Sequence, residues 1–379
     1  MGKPTVMTIV GTRPEIIRLS ETIKRFDQVF KHELVHTGQN DHAKLKDVFF
    51  EDLGLRQPDH YLNVDTSSFG SVMADTIRSC EKLFGTTKPD AVVVLGDTNS
   101  AISLLVARRM AIPTYHLEAG NRSFDENVPE EVNRRMVDHV ADYNLVYNSY
   151  SYGNLIREGI HPRFLHVTGS PIKEIVHANL QQIENSSVLQ EMNLSKGSYF
   201  LVSIHRQENV DSKVRLNLLI ESIVGLAEKF SKTALVSTHP RTRKRIDSWM
   251  PEANSNQSLK LLDPFGFHDY MRLQRDAFCV LSDSGTISEE SAILGFPAVS
   301  LRESFERWEA SDAGTIVQTG LEIDPIEAGV REVTSGSKLK TSQPEGYEVS
   351  DFSQRVTRYI LSTFHSHKNW KNLRDLDAT

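Results

Sequence analysis

Two cysteines in 379 residues, Cys80 and Cys279, leave no basis for a disulfide framework. They stand far apart in the chain and are expected as buried thiols in a reducing compartment. No CxxC, no HExxH and no cluster among the 14 scattered histidines offers metal-ligand spacing. The P-loop, the GxGxxG dinucleotide fingerprint and the GxSxG elbow are all missing. No apolar run is long enough to span a bilayer, and MGKPTVMTIVGTRPE enters a strand with no cationic leader, so a soluble cytoplasmic protein is expected. A net charge of -7 argues against nucleic acid or an anionic membrane as partner. It leaves room for an anionic small ligand in a locally basic pocket.

What remains is an ordinary globular composition, 39% hydrophobic and 25% charged, at the length of two domains. Residues 5–10 form a short apolar run that stops at Gly11, the pattern of a buried parallel strand. A helix over 15–26 follows, then a strand at 33–36, helices over 41–50 and 71–84, and a strand at 91–95. Asn99 is expected to cap a helix over 100–110, with strands at 113–117 and 143–147 after it. This alternation means a doubly wound parallel sheet. Around Gly169-Ser170-Pro171 the pattern pauses in a polar stretch that lasts to Gly197. The boundary is placed there, giving domains 1–170 and 171–350. A second series has strands at 199–203, 234–237, 260–262, 279–282 and 298–301 and a helix over 214–230. Residues 334–348 read as loop and 351–364 as a last amphipathic helix. Because the halves share one plan, a cleft between two α/β domains is the expected ligand site.

The chemistry-bearing residues fall where strands are expected to end. PTYHLEAGNRSFDENVPEEVNRR, residues 113–135, puts Glu118 after a strand and Glu130 and Glu131 at a helix start, with Arg122, Arg134 and Arg135 among them. Carboxylates beside guanidinium groups suit proton transfer on a substrate that also carries phosphate; a capped surface helix is the alternative. Arg13, in GTRPE, and Arg18, in the helix that follows it, can reach an anion or serve a salt-bridged turn. Asp97, in GDTNS, suits a base, a metal ligand or a ribose contact as well as a cap. His205 and Arg206 open the second series at the same topological place and suit a phosphate or a general acid. In DSGTISEE, small residues lead into a helix, so Ser284 and Gly285 suit a diphosphate and Glu290 a ribose. Arg302 and Arg307, in RESFERWE, can close on the same anion.

Taken in order, GTRPE, GDTNS, HLEAGNRS with PEEVNRR, IHRQEN, SDSGTISEE with GFP, and RESFER cover nearly the whole chain. Together they resemble the non-hydrolysing UDP-N-acetylglucosamine 2-epimerases of bacteria. The resemblance implies two Rossmann-like doubly wound domains of the glycosyltransferase-B-like type, with the ligand cleft between them and the last helix returning to the first domain. It implies inversion at C2 of a UDP-activated N-acetylhexosamine, no cofactor, no metal, and a homodimer. By position, the acid/base carboxylates fall on Asp97, Glu118 and Glu130, and the catalytic histidine on His205. UDP contacts fall on Arg13, Phe267, Ser284, Gly285, Glu290 and Arg307, to which Arg18, Arg134 and Arg206 are added as further anion-binding groups. The chain departs from the common form with Arg18 for lysine, Asn40 for histidine and Trp308 for proline. Asn40 lies where some relatives hold a second, allosteric UDP-sugar. HTGQN, EAGNRSFD and NRRMVDH look more like the capsule and O-antigen branch, which converts UDP-2-acetamido-2,6-dideoxy-L-talose to UDP-N-acetyl-L-fucosamine. The alternatives are a UDP-GlcNAc/UDP-ManNAc 2-epimerase and a glycosyltransferase on the same fold.

Overall fold

The computed structural model describes residues 2–38, 49–336, 343–371 and 373. The helix expected over 41–50 falls almost wholly outside them, as do Asn40 and the middle of the loop expected over 334–348. The chain forms two compact units, residues 1–178 with 348–379, and residues 179–347.

In the first unit, β1 (Thr5–Val10), β2 (Lys31–His36), β3 (His60–Tyr61), β4 (Ala91–Leu95), β5 (Thr114–Leu117), β6 (Tyr143–Val146) and β7 (Leu165–Val167) make one sheet in the order β3-β2-β1-β4-β5-β6-β7. Every pairing is parallel. All of β4, AVVVL, is buried, as a strand covered on both faces requires. The helix Arg13–Val29 starts with Pro14 in its first turn and a Thr12/Glu15 capping box, and buries Ile16, Leu19, Ile23 and Phe26. The helix Phe352–Thr363 packs on it, bringing the end of the chain back to the first unit.

In the second unit, β8 (Tyr199–Ile204), β9 (Thr233–Thr238), β10 (Leu259–Leu262), β11 (Cys279–Ser282), β12 (Ala298–Ser300) and β13 (Val317–Gln318) take the order β10-β9-β8-β11-β12-β13. These pairs too are parallel. Leu219, Ile223 and Leu226 of the helix Lys213–Lys229 fill the core against Phe200 and Val202.

Both sheets reverse strand order beside their first strand, between β1 and β4 in one unit and between β8 and β11 in the other. In an open α/β sheet the crevice beyond the strand ends at such a reversal is the binding position.

One local expectation needs correction. Asn99 is not the cap: a 3-10 turn, Asn99–Ile102, precedes the helix Ser103–Arg109, and the cap position belongs to Thr98. Thr98 sends its hydroxyl to Glu15 instead, at 2.8 Å. The polar stretch before Gly197 carries the short helices Ile172–Ala178, Leu180–Asn185 and Val188–Glu191. β3, β7 and β13 were not anticipated, being two or three residues long.

Candidate active site

In the first unit the acids stand at the ends of β4 and β5, which are neighbours with Leu95 opposite Leu117. β5 ends in a sharp turn at Glu118, whose φ of 65° is a left-handed value that a Cβ makes unfavourable. Gly120 follows at φ 80°, where a Cβ would run into the Ser151 carbonyl. Glu118 Oε2 pairs with the buried guanidinium of Arg18 and accepts from the Tyr147 hydroxyl at 3.3 Å. Its Oε1 accepts from the Asn121 amide at 3.2 Å.

Asp97 follows Gly96 at the end of β4. Arg134 holds its Oδ2 with two nitrogens, Nε at 2.8 Å and Nη2 at 2.6 Å. Asn133 donates to the Asp97 carbonyl at 2.9 Å, so one turn of the helix Pro129–Val140 fixes both the side chain and the backbone of Asp97. A Cβ on Gly96 would lie 3.8 Å from Glu118 Oε2, which puts the second carboxylate beside the turn that carries the first.

The neighbouring Glu130 and Glu131 separate in role. Glu130 is half-buried in the first turn of the helix. Glu131 is fully buried and accepts from the Ser123 N–H at 2.9 Å and hydroxyl at 3.1 Å. Burial pushes its carboxyl up, but Ser123, Arg134 and Arg135 outweigh burial and hold it below the usual range. Glu131 therefore serves the loop.

Arg122 likewise serves the fold. It is fully buried, donating to Asp138 at 2.7 Å and to both oxygens of Glu158 at 2.8 and 2.6 Å. His116 joins it on Asp138 at 2.8 Å. Arg135 pairs with Glu131 at 3.2 Å. Of the three arginines expected around the acids, Arg134 reaches the candidate catalytic carboxylate Asp97.

Glu15, a role the sequence did not disclose, ties the β1 turn to the β4 turn. It accepts from the Gly11 and Thr12 N–H groups at 2.9 and 2.7 Å, from Thr98 and from Ser100. Burial pushes its carboxyl up against these bonds. Arg13 lies at the same turn, exposed, with its guanidinium 5.2 Å from the Phe49 ring centre.

In the second unit, β8 and β11 carry the corresponding groups. The fully buried Asp283 accepts from the His205 and Arg206 N–H groups and from the Asn209 amide, and its Oδ1 lies 3.2 Å from His205 Nδ1. The His205 side chain stays 43% exposed while Asp283 fixes its backbone.

Ser284, Gly285, Arg302, Glu306 and Arg307 line an open concavity. Glu306 bridges two guanidinium groups, Arg302 at 2.6 Å and Arg206 at 3.3 Å. Arg302 Nε is buried without a hydrogen-bond partner among the described residues. A Cβ on Gly285 would meet Glu306 at 3.3 Å, Arg206 at 3.6 Å and Arg302 at 3.7 Å, so only glycine leaves this floor open. Arg307 pairs with the buried Glu289 at 3.4 Å. Glu290 accepts from Gln274 at 2.6 Å, and Phe267 is buried at the start of the helix Phe267–Asp276 that supplies Gln274. Cations around a glycine floor can hold a diphosphate. The partner set of Glu306 was not legible in sequence, although RESFER marked the loop.

Comparison with known proteins bears on what these sites do. A profile of the UDP-N-acetylglucosamine 2-epimerase family matches residues 23–361. The UDP-N-acetylglucosamine 2-epimerase of Methanocaldococcus jannaschii is 35% identical over 93% of this chain and 97% of its own. A solved UDP-N-acetylglucosamine 2-epimerase from Rickettsia bellii superposes with a TM-score of 0.90 at 37% identity, covering 97% of this chain and 98% of that one. The crystal structure of the Methanocaldococcus jannaschii enzyme in complex with UDP-GlcNAc and UDP superposes with a TM-score of 0.89 at 33% identity, covering 95% of this chain and 100% of that one.

Proposed function

The chain belongs to the UDP-N-acetylglucosamine 2-epimerase family and is an epimerase-type isomerase on a glycosyltransferase-B-like fold, and from this we propose that it inverts C2 of a UDP-activated 2-acetamidohexose by eliminating and re-adding UDP. The observation that carries the reading is the twin topology. In each unit candidate residues follow the strands at the reversal of strand order or the next strand over: Asp97 after β4 and Glu118 after β5 in one, His205 after β8, Ser284 after β11 and Arg302 after β12 in the other.

The chemistry requires both sets. The C2 proton of such a sugar is not acidic, because no carbonyl delocalises the carbanion. Breaking the C1–O bond to UDP as the proton leaves gives a neutral 2-acetamidoglycal with a C1=C2 double bond. Delivery of a proton to the other face of C2 and return of the UDP oxygen to C1 complete the inversion, with no redox change. Asp97, Glu118 and Glu130 carry the proton steps. Arg13, Arg18, Arg134, His205, Arg206, Ser284, Gly285 and Arg307 hold or steer the anion, with Phe267 and Glu290 as further UDP contacts.

For the hexose we propose UDP-GlcNAc and its C2 epimer, on the weight of the relatives. The second candidate is UDP-2-acetamido-2,6-dideoxy-L-talose, giving UDP-N-acetyl-L-fucosamine for capsule or O-antigen, favoured by EAGNRSFD and NRRMVDH. A cytoplasmic homodimer belongs to the same reading; among the described residues no helix is long and apolar enough to cross a membrane. The test is a panel of both UDP-sugars followed by proton NMR at C1 and C2. Interconversion of C2 epimers without free sugar supports the reading. Release of free UDP and N-acetylmannosamine, or transfer to an added acceptor, overturns it.

A further inference from the structure

Tyr147 is a buried tyrosine just past the end of β6, and nothing above gives it a part in the reaction. Its hydroxyl donates to Glu118 Oε2 at 3.3 Å and accepts from Arg18 Nη1 at 3.3 Å, so one phenol joins both ends of the Arg18–Glu118 pair. The Arg18 guanidinium also lies 5.9 Å from the centre of the Tyr147 ring. Behind it, Phe352 meets the ring edge-on, with centroids 6.1 Å apart and planes at 84°. Phe352 opens the helix Phe352–Thr363, the segment that returns to the first unit, and is fully buried. The contacts run from the returning helix through Phe352 and Tyr147 to Glu118, all within that unit.

Glu118 needs such support. Its left-handed backbone is unfavourable for a residue with a Cβ and persists only when its surroundings over-determine it. A carboxylate that takes a proton from carbon must also be aimed and kept ionised. We propose that Tyr147 is a positioning residue for Glu118, and that Phe352 gives the returning helix a part in the reaction by fixing the Tyr147 ring. The hydroxyl hydrogen bond favours the charged carboxylate and fixes its Oε2. Arg18 and Tyr147 are the charged and titratable groups whose bonds to Glu118 define this arrangement, and Asn121 adds a neutral amide.

The inference rests on the epimerase reading for its kinetics but not for its structure, and the test separates the two. In Tyr147→Phe, which keeps the ring, kcat for C2 epimerisation is expected to fall about tenfold to a hundredfold, the range of one hydrogen bond to a charged group. KM and UDP affinity are expected to stay within about threefold, because the lost bond acts on the acid. Phe352→Leu, which keeps the hydroxyl but loosens the ring, is expected to lie between Tyr147→Phe and wild type. Independently of turnover, a carbon-13 NMR titration of the Glu118 carboxyl should show its pKa higher in Tyr147→Phe than in wild type. An unchanged Glu118 titration overturns the proposal, as does an unchanged kcat in a working assay. A wild type inactive on every UDP-sugar sinks the epimerase reading, while the titration still decides the role of Tyr147.

Discussion

Asp283 holds His205 by its backbone: the two Asp283 oxygens lie 3.0 and 3.2 Å from the His205 nitrogen, and Oδ2 accepts the Arg206 N–H at 3.1 Å. A buried carboxylate that gathers the N–H groups of a turn sets the conformation of the residues it gathers. Stability and ligand binding should therefore divide between these two residues.

Asp283→Asn replaces one acceptor oxygen with an amide donor facing N–H groups. It is expected to cost about 2–3 kcal/mol of stability, as for unsatisfied buried donors, and to weaken UDP binding as well. His205→Ala removes a side chain that is 43% exposed. It is expected to leave stability within about 0.5 kcal/mol while lowering turnover. Urea melts of both variants, paired with UDP titrations, measure the split.

Gly285→Ala should show the opposite pattern from Asp283→Asn. The groups a Cβ would approach are the ends of Glu306, Arg206 and Arg302, which can shift by the few tenths of an ångström required. Stability is expected to change by less than about 1 kcal/mol. A methyl on the floor of the cradle keeps a diphosphate from the backbone N–H groups, so UDP affinity is expected to fall at least about tenfold. Calorimetric titration with UDP alone checks this without any assumption about the sugar.

Acid stability should depend on Asp138. Burial pushes its carboxyl up, but the hydrogen bond and charge of His116, with Arg122, outweigh burial and hold it below its ordinary 3.8. The unfolded chain then binds the proton more readily than the folded one. The stability contributed is full above the ordinary value and is lost as pH falls through the folded value. Asp138→Asn leaves buried Arg122 short of a charge, and is expected to cost about 3–5 kcal/mol at neutral pH. The gap to wild type is expected to narrow once the pH drops below 3.8. Denaturant melts between neutral pH and pH 3 test the sign; a gap that stays constant contradicts it.

The sequence disclosed the two α/β units and the strand-end positions of Asp97, Glu118, His205 and Ser284, because apolar runs such as AVVVL stop at polar turn residues. It did not disclose β3, β7 and β13, whose two or three residues form no pattern of their own and exist by pairing at sheet edges. Nor could it separate Arg134 from Arg122. Both follow the strand-end acid closely, but one reaches Asp97 and the other is buried on Asp138 and Glu158. That distinction is set by partners 16 to 37 positions away, beyond any local pattern. Asn99 misled for a related reason: its side chain accepts from Asn133 at 3.2 Å, a tertiary contact that competes with capping.

Deuterium at C2 tests the central claim most directly. With UDP-GlcNAc in D₂O and wild-type protein, solvent deuterium is expected at C2 of both epimers as they interconvert. Glu118→Gln is expected to slow interconversion and exchange together by about 10²–10⁴-fold, the usual loss on removing an acid/base group, while binding UDP as wild type does. Interconversion that leaves the original proton on C2 contradicts the account.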